Sequence, residues 1–144
     1  MADFRVLRVE WAREQARLSS VRRRVFIEEQ GVPEALEWDA ADADAGTMHL
    51  LAMDRDGRAI GCARVLADGH IGRMAVLQGW RGRGVGRALL AAALNAAKAR
   101  GHSVVKLSAQ THAAGFYARA KFSVVSEVYQ EAGIAHVAME KRLD

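Results

Sequence analysis

The residues with the clearest capacity for chemistry form a glycine- and arginine-rich turn. Its members are Arg81, Gly82, Arg83, Gly84, Val85, Gly86 and Arg87. The turn follows a predicted strand and opens a predicted helix, and its alternating glycines let the backbone approach a ligand closely. The first N–H groups of a helix lack intrahelical partners and lie at the positive end of its dipole, which favours phosphate binding. The sequence therefore predicts a phosphate-binding turn over residues 81–87.

Two common nucleotide-binding motifs do not fit this turn. A P-loop needs Lys and then Ser or Thr after its last glycine, whereas Arg87 and Ala88 stand there. A dinucleotide fingerprint needs the spacing G-x-G-x-x-G, whereas the glycines here are spaced G-x-G-x-G, and no acid ends the next strand. A glycine-rich turn without a ligand is the remaining alternative.

Hydrophobic periodicity predicts the elements that must position this turn. Strands are predicted near residues 4–9 and over 49–53, 59–66, 71–77, 103–107, 124–129 and 134–139. Helices are predicted over 11–30, 84–100 and 112–120, with a short one near 33–36. Antiparallel hairpins together with one strand–helix–strand crossover predict an α+β (mixed α/β) fold with a mixed sheet.

Composition limits the class of protein. The 144 residues, 51% of them hydrophobic, are enough for one folded domain, predicted over residues 1–144. The single cysteine, Cys62, excludes an intrachain disulfide and is expected to be buried in a strand. The absence of a long apolar run, of a signal peptide and of metal-ligand spacing predicts a cytoplasmic protein with no membrane partner and no metal.

Charge is distributed unevenly along the chain. Residues 1–72 contain 10 Lys and Arg against 13 Asp and Glu, whereas residues 73–144 contain 11 against 4. Seven acids and no Lys or Arg lie between Glu28 and Asp44, which we call the acidic segment. This asymmetry suggests partners of opposite charge, with a solvated surface as the alternative.

Sequence motifs provide a family resemblance. Arg81, Gly84 and Gly86 match the pattern [QR]-x-x-G-x-[GA], and AGFYARAKF at 114–122 is similar to A-x-x-F-Y-x-x-x-G-F, with Lys121 replacing the usual glycine. On these motifs the chain resembles the GNAT superfamily of acyl-CoA-dependent N-acyltransferases.

Three further segments resemble the ElaA/YjcF-like branch of that superfamily. They are VFIEEQGVP at 25–33, LSAQ at 107–110 and GIAHVAM at 133–139. They resemble the branch motifs F-x-x-E-Q-x-[VI]-P, A-Q and G-I-x-H-x-x-M. The resemblance covers about residues 20–140.

The resemblance implies a three-layer GNAT fold, with a mostly antiparallel mixed sheet of about seven strands and about four flanking helices. It also implies acetyl-CoA (coenzyme A) as cosubstrate, with its pyrophosphate held by the backbone amides of the turn. The strand before the turn is expected to splay from its neighbour at a bulge. There the backbone of Met74, Ala75 and Val76 would contact the thioester and the pantetheine arm.

The resemblance also suggests catalytic residues. Tyr117 stands at the position of the family's general acid. A phenol of pKa near ~10 can protonate a thiolate. The alternative is that Tyr117 only packs beside Phe116. Glu29 and His136 are candidate bases, with a water chain as an alternative. His49, His70 and His112 rank below His136. The expected acceptor-binding residues are Glu29, Gln30, Gln110 and Tyr129.

The expected function is acetyl transfer from acetyl-CoA to a primary amine of a small molecule or peptide, directly in a ternary complex. The acidic segment favours a cationic acceptor, and the final strands favour a homodimer. A non-catalytic acyl-CoA sensor of the same fold is one alternative. A nucleic-acid-binding module is disfavoured, because three adjacent arginines, Arg22 to Arg24, point in directions about 100° apart around a helix and do not form one stripe.

Overall fold

A central eight-stranded sheet organises the fold in the computed structural model, which describes residues 3–144. The strands are β1 (Phe4–Val9), β2 (Met48–Asp54), β3 (Ala59–Val65), β4 (His70–Val76), β5 (Val104–Gln110), β6 (Ser123–Val124), β7 (Tyr129–Glu131) and β8 (Ile134–Arg142). The helices are α1 (Trp11–Arg22), α2 (Glu34–Glu37), α3 (Val85–Ala99) and α4 (Ala114–Arg119). The strand order is β1-β2-β3-β4-β5-β8-β6, and β7 also pairs with β8.

This architecture confirms the predicted α+β fold with a mixed, mostly antiparallel sheet and four helices. Among the strand pairs, β4 and β5 are parallel and the others are antiparallel. The prediction of a single strand over 124–129 was wrong, because this segment is divided between β6 and β7. Between them the Ser126 hydroxyl accepts the N–H of Ala138 at 2.8 Å, so a side chain replaces a backbone partner in the ladder.

The first helix also differs from the prediction of one regular helix over 11–30. Regular α-helix ends at Arg22, and the chain continues as a π-helix over Arg23–Glu29. The N–H of Gln30 donates to the carbonyl of Val25 at 3.0 Å, five residues back. Gly31, with φ of +72°, then ends the helix. Short π-helical segments are often found at functional sites.

Two apolar clusters, one on each face of the sheet, fix the helices in place. On one face α3 packs Leu89 and Ala93 against the sheet, and both side chains are fully buried. On the other face α1 packs Leu18 and Val21 around Cys62. Cys62 is 1% exposed, as predicted, and burial raises the pKa of its thiol to about 12.

The sheet opens between β4 and β5. A bulge shifts the register of β4 against β3 between Cys62 and Arg64, and Arg73 in the bulge has φ of +48°. The guanidinium of Arg73 donates to the carbonyl of Glu37 at 3.1 Å and so fixes this uncommon conformation. β4 and β5 pair at His70–Lys106 and Ile71–Leu107 and then diverge. The expected bulge and splay are therefore present.

An exposed apolar patch lies beside β6. Val124, Val125 and Val128 are 52%, 53% and 62% exposed. The homodimer expected through the final strands stays a prediction. No helix within residues 3–144 is long and apolar enough to cross a membrane.

Candidate active site

The divergence of β4 from β5 opens a cleft of about 1180 Å³. Its walls come from the π-helix, from β4 and the turn that follows it, from α4 and from β8. The fold therefore places the predicted phosphate-binding turn, Tyr117 and His136 around one cavity. A concave site of this kind can enclose a ligand and exclude water from its reacting atoms.

The glycine turn is shaped to receive an anion. Gly82 and Gly84 have φ of +76° and +86°, and a Cβ on either would meet no atom within 4 Å. Gly84 immediately precedes α3, whose N-terminus is capped by no side chain of the described residues. The backbone N–H groups at this helix start are therefore open to a phosphate.

The three arginines of the turn have different surroundings. Arg81 forms a two-point ion pair with Glu29, with N–O distances of 2.6 and 2.8 Å, and its Nε donates to the carbonyl of Val76 at 3.0 Å. The guanidinium of Arg83 lies 4.7 Å from the ring centre of Trp80. Arg87 is exposed on the first turn of α3. Arg81 thus braces the turn, while Arg87 faces solvent.

Substituting Gly84 by alanine is expected to weaken acetyl-CoA binding about tenfold, because the new methyl group occupies the open cradle at the helix start. A positive φ also costs a residue with a Cβ about 1 kcal/mol. Gly101→Ala is the matched control, since Gly101 has φ of +97° and equally open surroundings, but lies at the far end of α3. Calorimetric titration of both variants measures the difference. Equal losses of affinity would contradict a cradle at Gly84.

Tyr117 places its hydroxyl across the cleft from β4. The hydroxyl oxygen lies 3.7 Å from Sδ of Met74, the residue that follows the bulge. The rings of Phe116 and Phe122 pack edge-on against Tyr117, with centroids 5.1 and 5.9 Å away. Burial raises the pKa of Tyr117 to about 12, so the hydroxyl remains protonated at neutral pH.

His136 lies on the opposite wall of the cleft, on β8, and is 6% exposed. Its Nδ1 lies 2.6 Å from the carbonyl of Ile134, a contact in which Nδ1 must be the donor. Nε2 therefore keeps the lone pair in the neutral ring, and it lies 3.7 Å from a carboxylate oxygen of Glu131. The ring stacks on Tyr129, whose hydroxyl is hydrogen-bonded to Ser108.

The other histidines named from the sequence occupy different environments. His49 is buried, stacks on Trp11 and contacts the carbonyl of Asp42 at 3.0 Å. Burial lowers the pKa of His49, which keeps it neutral. His70 pairs with Asp68 at the surface. His112 lies at the cleft rim, with Nε2 2.6 Å from the side-chain oxygen of Gln110.

Glu29 and Gln30 lie side by side at the end of the π-helix and line the cleft. The hydrogen bond from Arg81 lowers the pKa of Glu29, which makes its carboxylate a weaker base. Gln30 and Gln110 exchange two amide hydrogen bonds of 3.2 and 2.7 Å. The structure thus engages three of the residues predicted to bind the acceptor in contacts within the protein.

The acidic segment does not form a free anionic surface. Five of its seven acids are paired with arginines: Glu29 with Arg81, Glu34 with Arg23, Glu37 and Asp42 with Arg22, and Asp39 with Arg64. A sixth, Asp44, accepts the N–H of Gly46 at 2.7 Å. The segment therefore loses most of the negative charge on which the expectation of a cationic acceptor rested.

Sequence reasoning missed three residues of the cleft as site residues. Along β5, Ser108 lies between two buried residues, so its side chain faces the cleft. The alternation of apolar and polar residues in this strand is a signal that could have identified it. Glu131 reaches His136 only because the β7–β8 hairpin folds back, and Arg73 reaches Glu37 from another element. The turn at residues 131–133 is a local signal for the first of these contacts, whereas no signal near Arg73 predicts the second.

Among residues 3–144 no group of three His, Cys, Asp or Glu side chains is arranged to hold a metal ion.

Comparison with known proteins gives consistent results. Residues 11–143 match the family model described as an acetyltransferase (GNAT) domain. The Bacillus subtilis protein named as uncharacterized N-acetyltransferase YjcF is 35% identical over 125 residues, which are 84% of this chain and 87% of that protein. Protein ElaA of Escherichia coli is 32% identical over 133 residues, which are 88% and 86% of the two chains.

Solved structures extend the likeness to the whole fold. An acyl-CoA N-acyltransferase from Pseudomonas aeruginosa superposes with a TM-score of 0.85 at 34% identity, covering 96% of this chain and 99% of the other. The crystal structure of Escherichia coli ElaA superposes with a TM-score of 0.84 at 29% identity, covering 99% and 100%.

Proposed function

Because the chain belongs to the GNAT family of acetyltransferases, we propose that it transfers the acetyl group of acetyl-CoA directly to a primary amine within a ternary complex. Membership makes the protein an N-acetyltransferase of the ElaA/YjcF-like branch, with acetyl-CoA as cosubstrate. The observation that carries the proposal is the shared cleft, in which an open glycine cradle, a protonated tyrosine hydroxyl and an oriented imidazole converge.

The residues present fit coenzyme A. A Cβ added at Gly82 or Gly84 would project into open space, so the turn leaves room for a pyrophosphate beside the first N–H groups of α3. The diverging strands expose the backbone of Met74, Ala75 and Val76 to the same cleft. Acetyl-CoA, when bound, supplies an activated acetyl group and a thiolate leaving group.

Tyr117 acts as the general acid. The C–S bond breaks as the C–N bond forms, and the thiolate takes the proton of the Tyr117 hydroxyl. A raised pKa makes Tyr117 a weaker acid than an exposed phenol, but the same burial raises the basicity of a thiolate formed in the cleft. Burial therefore acts in the same direction on the acid and on the group that it protonates.

His136 accepts the proton released by the amine, directly or through one water. The carbonyl of Ile134 holds the proton on Nδ1, so Nε2 is the basic atom, with Glu131 positioned to stabilise the imidazolium. Glu29 was also a candidate base. We assign it no proton-accepting role, because Arg81 engages both of its oxygens.

The acceptor occupies the open side of β5 and β8. We infer that Ser108 and Glu131, which line this wall with His136, contact it, and that Tyr129, which does not line the cleft, supports the acceptor site by stacking on His136. With most acids of the acidic segment paired, the site offers Glu131 as an exposed carboxylate for one cationic group. A small molecule or peptide carrying one primary amine therefore suits the site.

Binding and turnover test the function separately. Acetyl-CoA and coenzyme A at about 100 times their Kd are expected to stabilise the protein by about 2.7 kcal/mol, whereas a DNA duplex should not. A panel of primary amines, assayed by release of thiol, should then identify acceptors. Stabilisation by acetyl-CoA without turnover of any amine would favour an acyl-CoA sensor. If acetyl-CoA did not stabilise the protein, the proposed function would be wrong.

A further inference from the structure

The cofactor cleft exists because two neighbouring strands stop pairing. β4 and β5 share two residue pairs, the last at Ile71–Leu107, and then run on separately to Val76 and Gln110. β3 and β8 hold the outer edges of these two strands, and a contact that bridges the opening adds a direct constraint on its width. The contact lies at the end of the π-helix.

Glu29 ties this helix end to the β4 side. Its two carboxylate oxygens accept hydrogen bonds from Nη1 and Nη2 of Arg81 at 2.6 and 2.8 Å. Nε of the same guanidinium donates to the carbonyl of Val76, the last residue of β4, at 3.0 Å. All three donating nitrogens of Arg81 therefore join the helix to the end of the strand, a geometry that fixes orientation as well as distance.

Gln30 ties the same helix end to the β5 side. Its amide exchanges hydrogen bonds of 3.2 and 2.7 Å with the amide of Gln110, the last residue of β5. Nε2 of His112 lies 2.6 Å from the Gln110 oxygen and gives it a second donor. The two residues lie 80 positions apart in the chain.

Adjacent residues point in directions roughly 100° apart in an α-helix and somewhat less in the wider π-helix, so neighbours at one helix end can reach two different strands. The π-helix supplies such an end, and Gly31 with φ of +72° stops it there. We call the four residues Glu29, Gln30, Arg81 and Gln110 the strap.

We propose that Glu29 and Gln30 are positioning residues, whose strap sets the opening between β4 and β5. The strap thereby holds Met74, on β4, at a working distance from Tyr117 and His136, which lie on α4 and β8 on the β5 side of the opening. This inference rests on the proposed transfer reaction, because it assigns the strap a role in bringing the two reactants together. It gives Glu29 and Gln30 a task other than accepting a proton or binding the acceptor.

The β5 arm is tested by Gln30→Ala, Gln110→Ala and the double variant. Each single substitution is expected to lower kcat by about tenfold, because loss of positioning raises the barrier without removing a reacting group. The double variant should lose no more than the worse single variant, since either change breaks the same contact. Gln30→Glu keeps an acceptor for the Gln110 amide and should retain more activity than Gln30→Ala. Gln130→Ala, on exposed β7, is the matched control.

The β4 arm is tested by Glu29→Gln against Glu28→Gln, a change of the same kind at the neighbouring exposed acid. Glu29→Gln is expected to raise the KM for acetyl-CoA several-fold, because it releases the turn that Arg81 braces. Glu28→Gln should leave this KM unchanged.

Hydrogen exchange in the free protein tests the strap without any turnover. Amides of residues 74–76 and 108–110 should exchange faster in Gln30→Ala and Gln110→Ala, while amides of β2 and β3 keep their rates. Losses of kcat that multiply in the double variant, or unchanged exchange at both strand ends, would overturn the inference. If the wild-type protein acetylated no amine, the exchange measurement would still decide whether the strap holds the strands.

Discussion

Replacing Tyr117 by phenylalanine is expected to lower kcat by about 100-fold or more, because general acids contribute factors of this size. The substitution removes the hydrogen bond from the hydroxyl to the Met74 sulfur, which is long at 3.7 Å and contributes little to stability. The ring packs between Phe116 and Phe122, and phenylalanine preserves that packing. Affinity for acetyl-CoA should therefore stay near the wild-type value.

Steady-state kinetics together with calorimetric titration separates these effects. Tyr129→Phe is the control of identical chemistry. Tyr129 bonds Ser108 and stacks on His136, so its loss should raise the acceptor KM more than it lowers kcat. Unchanged turnover in Tyr117→Phe would remove this residue from the acid role.

The pH profile provides a second measurement on Tyr117. Burial raises its pKa to about 12, so the protonated form persists as the pH rises through 10, where an exposed phenol would ionise. The rate should therefore show no alkaline loss attributable to Tyr117 below about pH 11. A wild-type alkaline limb near pH 10 that disappears in Tyr117→Phe would contradict this environment.

Replacing Arg22 by alanine is expected to destabilise the fold by about 3 kcal/mol, the lower end of the range for breaking a buried ion pair, because two buried carboxylates each lose one of their two arginine partners. Arg22 is 1% exposed and contacts Glu37 at 2.8 Å and Asp42 at 2.7 Å, each of which is 3% exposed. Its guanidinium also lies 5.1 Å from the ring centre of Trp38. The lost charge therefore leaves carboxylates with little access to water.

Thermal denaturation measures this effect, and a fall in Tm of about 10 °C is expected for a chain of this size. Arg23→Ala is the matched control, because Arg23 neighbours Arg22 but pairs with Glu34 in solvent. Exposed pairs contribute little, so Arg23→Ala should hardly change Tm. Equal effects of the two substitutions would show that the buried cluster does not hold the acidic segment in place.

Arg22 also connects the acidic segment to function. Glu37, which Arg22 holds, accepts a hydrogen bond from Arg73 through its carbonyl, and Arg73 forms the bulge at the mouth of the cleft. The acids that the sequence suggested for acceptor recognition thus anchor the wall beside the bulge. These carboxylates are neutralised by arginines of the same chain, as expected for buried ionic groups.

Local features of the site could be predicted from the sequence. The turn at residues 81–87, the helix that follows it and the aromatic pair Phe116–Tyr117 depend on glycine spacing and helical periodicity within a short stretch. Backbone preferences act over a few residues, so these features are readable without distant partners. The order of strands and helices was also predicted from local periodicity, and this order indicated the correct fold class.

The roles of the charged and polar residues were decided by the tertiary structure. Glu29 meets Arg81 across 52 positions, and Gln30 meets Gln110 across 80, so neither pairing is visible in a local pattern. The break between β6 and β7 likewise depends on Ser126 reaching Ala138. Sequence motifs identified the fold family and predicted a phosphate-binding turn at residues 81–87. Only the tertiary structure decided which charges neutralise one another, because pairing depends on which strands and helices the fold brings within hydrogen-bonding distance.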